Sequence, residues 1–128
     1  MKLLLDTCPF LWIITEAPEL SGPARDLFVD PENETYLSAV STWEIAIKHP
    51  LGRLPLPEPP ERFIPSQRKL HYIAALPLEE DAALYLGRLP QLHNDPFDRM
   101  LICQAIMYGM VILTPDEHVT RYPVRTIW

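Results

Sequence analysis

The chain has 128 residues, 48% of them hydrophobic, and a formal net charge of −6 at pH 7. That length fits one compact domain, expected to span residues 1–128, and no apolar stretch is long enough to cross a membrane without a charge or a break. The acidic balance argues against broad, nonspecific nucleic-acid binding, which rests on lysine and arginine meeting phosphates, but it leaves open an enzyme whose phosphate contacts run through a metal.

Residues 2–6, KLLLD, form a short apolar run of strand length, with the consecutive apolar positions of a strand buried on both faces. Asp6 and Pro9 interrupt this run and no small-residue cleavage site follows, so a secretory signal is not expected. Cys8 and Cys103 are too few for a disulfide framework and read as small buried thiols, reduced in a cytoplasmic protein. TCPFLWIIT begins a first helix, with Pro9 tolerated in its first turn. Ser21 can cap a second helix that runs to about Val29. After the polar turn DPENE, TYLSAV (35–40) reads as a second strand and STWEIAIKH as a helix. Proline is abundant, 15 residues in all, and its cluster in PLGRLPLPEPP marks a loop within the domain. ERFIPSQRKL is expected to be a helix broken near Pro65. HYIAALPL holds a third short strand and EEDAALYLGRL a helix. FDRMLICQAIMYG is the longest helix, closed by Gly109. MVILT (110–114) is a strand, and VRTIW a last edge strand. Strands alternating with helices predict an α/β domain with a mostly parallel sheet, in which ligands gather beyond the carboxyl ends of the strands.

Four acids fall where a strand exits or a helix begins: Asp6, Glu44, Asp98 and Asp116. Three of them have an ordinary explanation. Ser41 to Glu44 reads as a capping box, Asp95-Pro96-Phe97-Asp98 as an N-cap with an acidic first turn, and Thr114-Pro115-Asp116-Glu117 as a second box. Acids in a first turn gain about 0.3–1 kcal/mol each from the helix dipole. Asp6 is different, because an aspartate at the end of a buried strand is costly to desolvate unless something pairs with it. A cluster of such carboxylates would repel itself and raise some of its pKa values, and a divalent cation removes that conflict. Oxygen-only ligands select Mg²⁺ or Mn²⁺ over zinc or copper; the four histidines show no zinc spacing. Asp95 reads first as the N-cap. Lys48, Arg53, Arg99 and Arg121 are the candidate cations for a phosphate backbone. Trp12, Trp43 and Trp128 fit core or interface packing better than base stacking, and His93 fits a loop residue with no role.

LLLDT, SAVSTWEIAIK, LHNDPFDRMLICQA, VILTPD and RYPVRTIW, in that order and spacing, together resemble a PIN-domain protein of the VapC type, the toxin ribonucleases of bacterial toxin–antitoxin pairs. The resemblance runs from residue 2 to 128. It implies a three-layer α/β/α sandwich and an endoribonuclease whose acidic residues bind Mg²⁺, with Mn²⁺ as a substitute. The family's four acids match Asp6, Glu44, Asp98 and Asp116 here, as both catalytic and metal-binding residues. The resemblance also implies an RNA substrate, cleavage to 5′-phosphate and 3′-hydroxyl ends, a small cognate antitoxin and a homodimer. Two positions depart from the pattern. Cys8 stands where relatives often carry histidine or an aliphatic residue, and Pro115 stands where arginine or another polar residue is common. A reading from another class, a catalytically inert PIN-like protein-binding module, would keep the acids only as caps. A metal-dependent phosphatase on a similar sheet is a third reading. No GxxxxGK[ST] phosphate-binding loop occurs.

Overall fold

The computed structural model describes residues Met1–Trp128. Five strands, β1 (Lys2–Leu5), β2 (Glu34–Ser38), β3 (Ala74–Leu76), β4 (Val111–Leu113) and β5 (Thr126–Ile127), form one sheet in the order β3-β2-β1-β4-β5. Every neighbouring pair is parallel. Leu4 of β1 stands beside Tyr36 on one side and Ile112 on the other. Because side chains alternate along a strand, Leu3 and Leu5 enter one core and Leu4 the other.

The first core packs Leu3, Leu5, Leu37, Val111 and Leu113 against Phe10 and Ile13 of α1 (Thr7–Thr15), Ile45 of α3 (Ala39–Lys48) and Ile64 of α4 (Pro60–Leu70). Leu27 and Phe28 of α2 (Gly22–Val29) close its rim. The second core packs Leu4 and Ile112 against Leu101, Ile102 and Ala105 of α6 (Pro96–Tyr108) and Val119 of α7 (Glu117–Thr120), with Tyr85 of α5 (Glu80–Tyr85) at its edge. Helices therefore cover both faces of the sheet, giving the three-layer sandwich expected. No helix is long and apolar enough to cross a membrane.

Several boundaries differ from the sequence reading, and each has a local cause. The second strand stops at Ser38, whose hydroxyl accepts from the Val40 amide and so caps α3 three residues before the predicted Ser41. Ala39 and Val40 are helical, Ser41 is no longer a cap, and Glu44 moves from the first turn to the second. Ser38 also donates to Gln104 Oε1 at 2.5 Å, while Gln104 Nε2 donates to the Pro77 carbonyl at 3.2 Å. This buried bridge fixes the end of β2 against α6. The helix over 60–70 runs unbroken through Pro65. Pro65 and Glu61 both lie on the exposed face, where water can satisfy the Glu61 carbonyl that proline leaves without its donor. The third strand shrinks to three residues at the sheet edge. The helix over 79–89 ends at Tyr85 in a 3₁₀ turn, Leu86–Arg88.

Candidate active site

The strand order reverses between β1 and β4, and such a switch point opens a crevice beyond the carboxyl ends of the two strands. Asp6 leaves β1 into this crevice and serves as the N-cap of α1. Its Oδ1 accepts from the Thr7 amide at 2.8 Å and its Oδ2 from the Thr114 hydroxyl at 2.9 Å. Thr114 follows β4, and its Oγ1 in turn accepts from the Asp116 amide at 3.1 Å. Asp116 caps α7 by accepting from the His118 amide, so the cap predicted for Thr114 lies two residues later. Asp98 arrives from the other side, in the first turn of α6, its amide held by the N-cap Asp95 at 2.9 Å.

Ligand atoms of Asp6, Asp98 and Asp116 all lie within 4.8 Å of one another. Asp6 is only 7% exposed. Burial, then Asp98 and more weakly Glu44, push its carboxyl up to about 6, against the hydrogen bonds from Thr114 and Thr7. Asp98 is also raised, chiefly by burial and further by Asp95 and Asp116, with the His93 hydrogen bond opposing. Burial and the neighbouring like charges thus both disfavour the ionised carboxylates. The donor set is carboxylate oxygen, and the spacing suits a hard divalent ion.

Glu44 stands beside this group but not in it. Thr7 Oγ1 donates to its Oε1 at 2.6 Å, and Lys48, one turn on, forms an ion pair with its Oε2. Ser41 Oγ lies 3.0 Å from Thr7 Oγ1 and completes a buried polar cluster at this end of α3.

The PIN domain family profile matches residues 3–124. The chain belongs to the PIN-domain family. It is 32% identical to Ribonuclease VapC16 of Mycobacterium tuberculosis (strain ATCC 25618 / H37Rv), over 97% of this chain and 98% of that protein. Among solved structures it is similar to VapBC2 from Rickettsia felis bound to a promoter DNA fragment. There the TM-score is 0.69 and the identity 14%, covering 99% of this chain and 98% of that one. It is also similar to DNA-bound VapBC from Salmonella typhimurium, with a TM-score of 0.68 and 21% identity, covering 99% and 97%. For FitAcB from Neisseria gonorrhoeae the values are 0.64 and 17%, covering 98% and 96%. At these identities the structural likenesses speak to the fold.

In this PIN domain several polar residues around the acids have roles that the sequence did not indicate. Thr7 and Thr114 each follow a strand and each bind a carboxylate. Their only sequence signal is a hydroxyl residue beside or near an acid at a strand exit. His93 is not an idle loop residue. Its Nε2 lies 3.0 Å from Asp98 Oδ2 and its Nδ1 2.8 Å from the Tyr122 hydroxyl. Arg99 is buried, and its Nη1 reaches the carbonyls of Pro90 and His93 at 3.4 and 3.5 Å. It braces the loop before α6 and does not stand free for a substrate. Cys8, expected to be buried, is exposed beside the acids, while Cys103 is buried. Trp12 meets Trp128 edge to face at 5.5 Å; Trp43 meets Phe97 at 5.1 Å yet remains 56% exposed.

Proposed function

We propose that this PIN domain is a Mg²⁺-dependent endoribonuclease, with Mn²⁺ as a working substitute, and that it acts as the toxin of a toxin–antitoxin pair. The observation that carries the reading is the convergence of Asp6, Asp98 and Asp116 within 4.8 Å at the switch point of a parallel sheet. The likeness to Ribonuclease VapC16 supports the choice of RNA as substrate. The likeness to VapBC complexes supports a small protein antitoxin as partner, and the family resemblance favours a homodimer.

Asp6, Asp98 and Asp116 would hold the ion, and Glu44 would stand next to it. When bound, a divalent ion supplies Lewis-acid polarisation of a phosphoryl group and an activated water. The chain's own residues prepare that chemistry. Thr7 and Thr114 fix both oxygens of Asp6, so this carboxylate needs little reorganisation. Glu44, with one oxygen bonded to Thr7, is placed to orient a water and accept its proton. Lys48 pairs with the other Glu44 oxygen and is itself close enough to the crevice to meet a phosphate. Arg53 and Arg121, both exposed, remain the candidates for more distant phosphates. Products would carry 5′-phosphate and 3′-hydroxyl ends.

The test is cleavage of a panel of structured RNAs, tRNAs included, by the purified protein with Mg²⁺, Mn²⁺ or EDTA. Cutting that needs the ion and disappears in Asp6→Asn and Asp98→Asn is the expected result. Absence of cutting together with absence of ion binding by calorimetry would leave the protein-binding module as the better reading.

A further inference from the structure

Asp98 lies in the first turn of α6 and Asp116 caps α7. A chain of side chains links the two. Tyr122, just past α7 and 3% exposed, places its hydroxyl 3.2 Å from the His93 amide nitrogen and 2.8 Å from His93 Nδ1. His93 Nε2 then lies 3.0 Å from Asp98 Oδ2. The ring of His118, from α7 itself, stacks on the His93 ring with a 4° interplanar angle and centroids 5.4 Å apart. Tyr122 meets the same ring at 61°. The His93 ring is thus fixed in plane by His118 and in rotation by Tyr122.

For a neutral His93 ring, proton accounting from both ends gives one arrangement. An ionised carboxylate only accepts, so Nε2 must carry the proton that faces Asp98. In the neutral ring Nδ1 is then an acceptor and takes the Tyr122 hydroxyl proton. That leaves the Tyr122 oxygen free to accept from the His93 amide, as observed. Asp98 Oδ2 is occupied by this bond, and Oδ1, which accepts no hydrogen bond from the protein, is the oxygen left for a cation.

We infer that His93 and Tyr122 are positioning residues for metal binding: through Nε2–H they fix the Asp98 carboxylate, and because Tyr122 and His118 belong to the same segment as Asp116, they hold Asp98 in register with Asp116. The inference rests on the metal-site reading given above. It assigns work to two residues that touch no ion. Hydrogen-bonded neighbours of this kind around a metal-binding group are commonly worth roughly 10–100-fold in affinity.

The experiment measures Mn²⁺ affinity by calorimetry for the wild type, His93→Ala, His93→Gln and Tyr122→Phe, after circular dichroism and thermal melts have established that each is folded. His93→Ala should bind roughly 10–100-fold more weakly. His93→Gln, whose amide can still donate to Asp98, should recover most of that loss. Tyr122→Phe, which keeps the buried ring, should fall between. In parallel, long-range ¹H–¹⁵N spectra of the metal-free protein should show His93 protonated on Nε2 and bare on Nδ1, and the Tyr122→Phe variant should lose this single tautomer. Equal Mn²⁺ affinity in wild type and His93→Ala would overturn the positioning role alone, as would an Nδ1-protonated ring in the wild type. A wild type that binds no Mn²⁺ would overturn the metal-site reading and this inference with it.

Discussion

The two sides of the acidic crevice handle charge in different ways. On the α3 side, Glu44 has a cation of its own: Lys48 pairs with it one turn along, and that contact in turn raises the lysine's pKa. On the side built by β1, β4 and α6, Asp6, Asp98 and Asp116 have no lysine or arginine partner and are held mainly by backbone amides, the Thr114 hydroxyl and the His93 ring. Neutral donors orient carboxylates without cancelling their mutual repulsion. Asp6 and Asp98 are both pushed up, first by burial and then by neighbouring carboxylates. One side is balanced as folded, and the other has a charge deficit that an ion would fill.

The largest effect should come from the unbalanced side. Asp6→Asn or Asp98→Asn should lower Mg²⁺-dependent RNA cleavage by more than the roughly 10–100-fold that loss of a supporting hydrogen bond around a metal costs. Single-turnover cleavage assays read this directly, and residual activity close to wild type would mean that the ion is held elsewhere.

The same deficit predicts an unusual stability in the absence of metal. The folded pKa of Asp6, about 6, lies above the ordinary value of 3.8. Its contribution to stability is therefore fully present below about pH 4 and is lost as pH rises through 6. The linked free energy is on the order of 3 kcal/mol, an upper figure for one buried group. Asp6→Asn removes the titration while keeping an oxygen for the Thr7 amide. At pH 7.5 in EDTA the variant should melt higher than wild type, by about 10 °C at most, and the two curves should converge towards pH 4. Added Mg²⁺ should raise the wild-type melting temperature and leave the variant nearly unmoved. A variant that melts lower than wild type at pH 7.5 would remove the idea that Asp6 is held in an electrostatically costly place.

How much of this could be read without coordinates depends on the range of the interaction. The apolar run before Asp6 and the Asp-Pro start and Gly109 stop of α6 are local signals, and the helices and strands they predict are present. So is the layering, because a βα alternation leaves few packings open. The boundary of β2 differs from the sequence reading because TYLSAV has strand-like composition throughout. A single Ser38 hydroxyl bonded to the Val40 amide decided the matter. Pro65 was misread because a helix interior normally loses from proline, yet here the freed carbonyl faces water. The positions of Asp6, Asp98 and Asp116 at element ends were legible, but the place of Glu44 inside α3 and the division of the four acids into a convergent trio and a lysine-paired glutamate were not. That division depends on contacts across 34 to 108 residues, such as Thr7 with Ser41 and Thr114 with Asp6, which no local pattern encodes. His93 and Tyr122 lie 29 residues apart and were missed for the same reason.

The balanced side can be broken on purpose. Lys48→Met should leave Glu44 buried with no cation, and one-sided removal of a partly exposed pair should cost about 1–3 kcal/mol, less than for a fully buried one. Adding Glu44→Gln to Lys48→Met should restore most of that loss, because both charges are then gone and Thr7 still has an acceptor. Urea unfolding of the two single variants and the double variant completes the cycle. Strictly additive losses would show that the pair is not a unit and that the contrast between the two sides is weaker than the geometry suggests.

The smallest effect sharpens the comparison without touching a carboxylate's own ligation. Cys8 is exposed between the two sides, and its thiol is pushed up by burial first, then by Asp6 and Glu44, with Lys48 opposing. Only the thiolate is nucleophilic, so alkylation reports the local potential. In metal-free protein at pH 8, iodoacetamide should modify Cys8 slowly, and buried Cys103 more slowly still. Asp6→Asn should speed Cys8 modification a few-fold by removing the carboxylate with the largest influence on it, and Lys48→Met should slow it, since the opposing cation is lost. Mg²⁺ should act like Asp6→Asn in the wild type, because an ion among the carboxylates offsets the same charge. If Mg²⁺ leaves the Cys8 rate unchanged while Asp6→Asn raises it, the deficit at Asp6 exists but the ion does not fill it, and the asymmetry of the crevice would need another purpose.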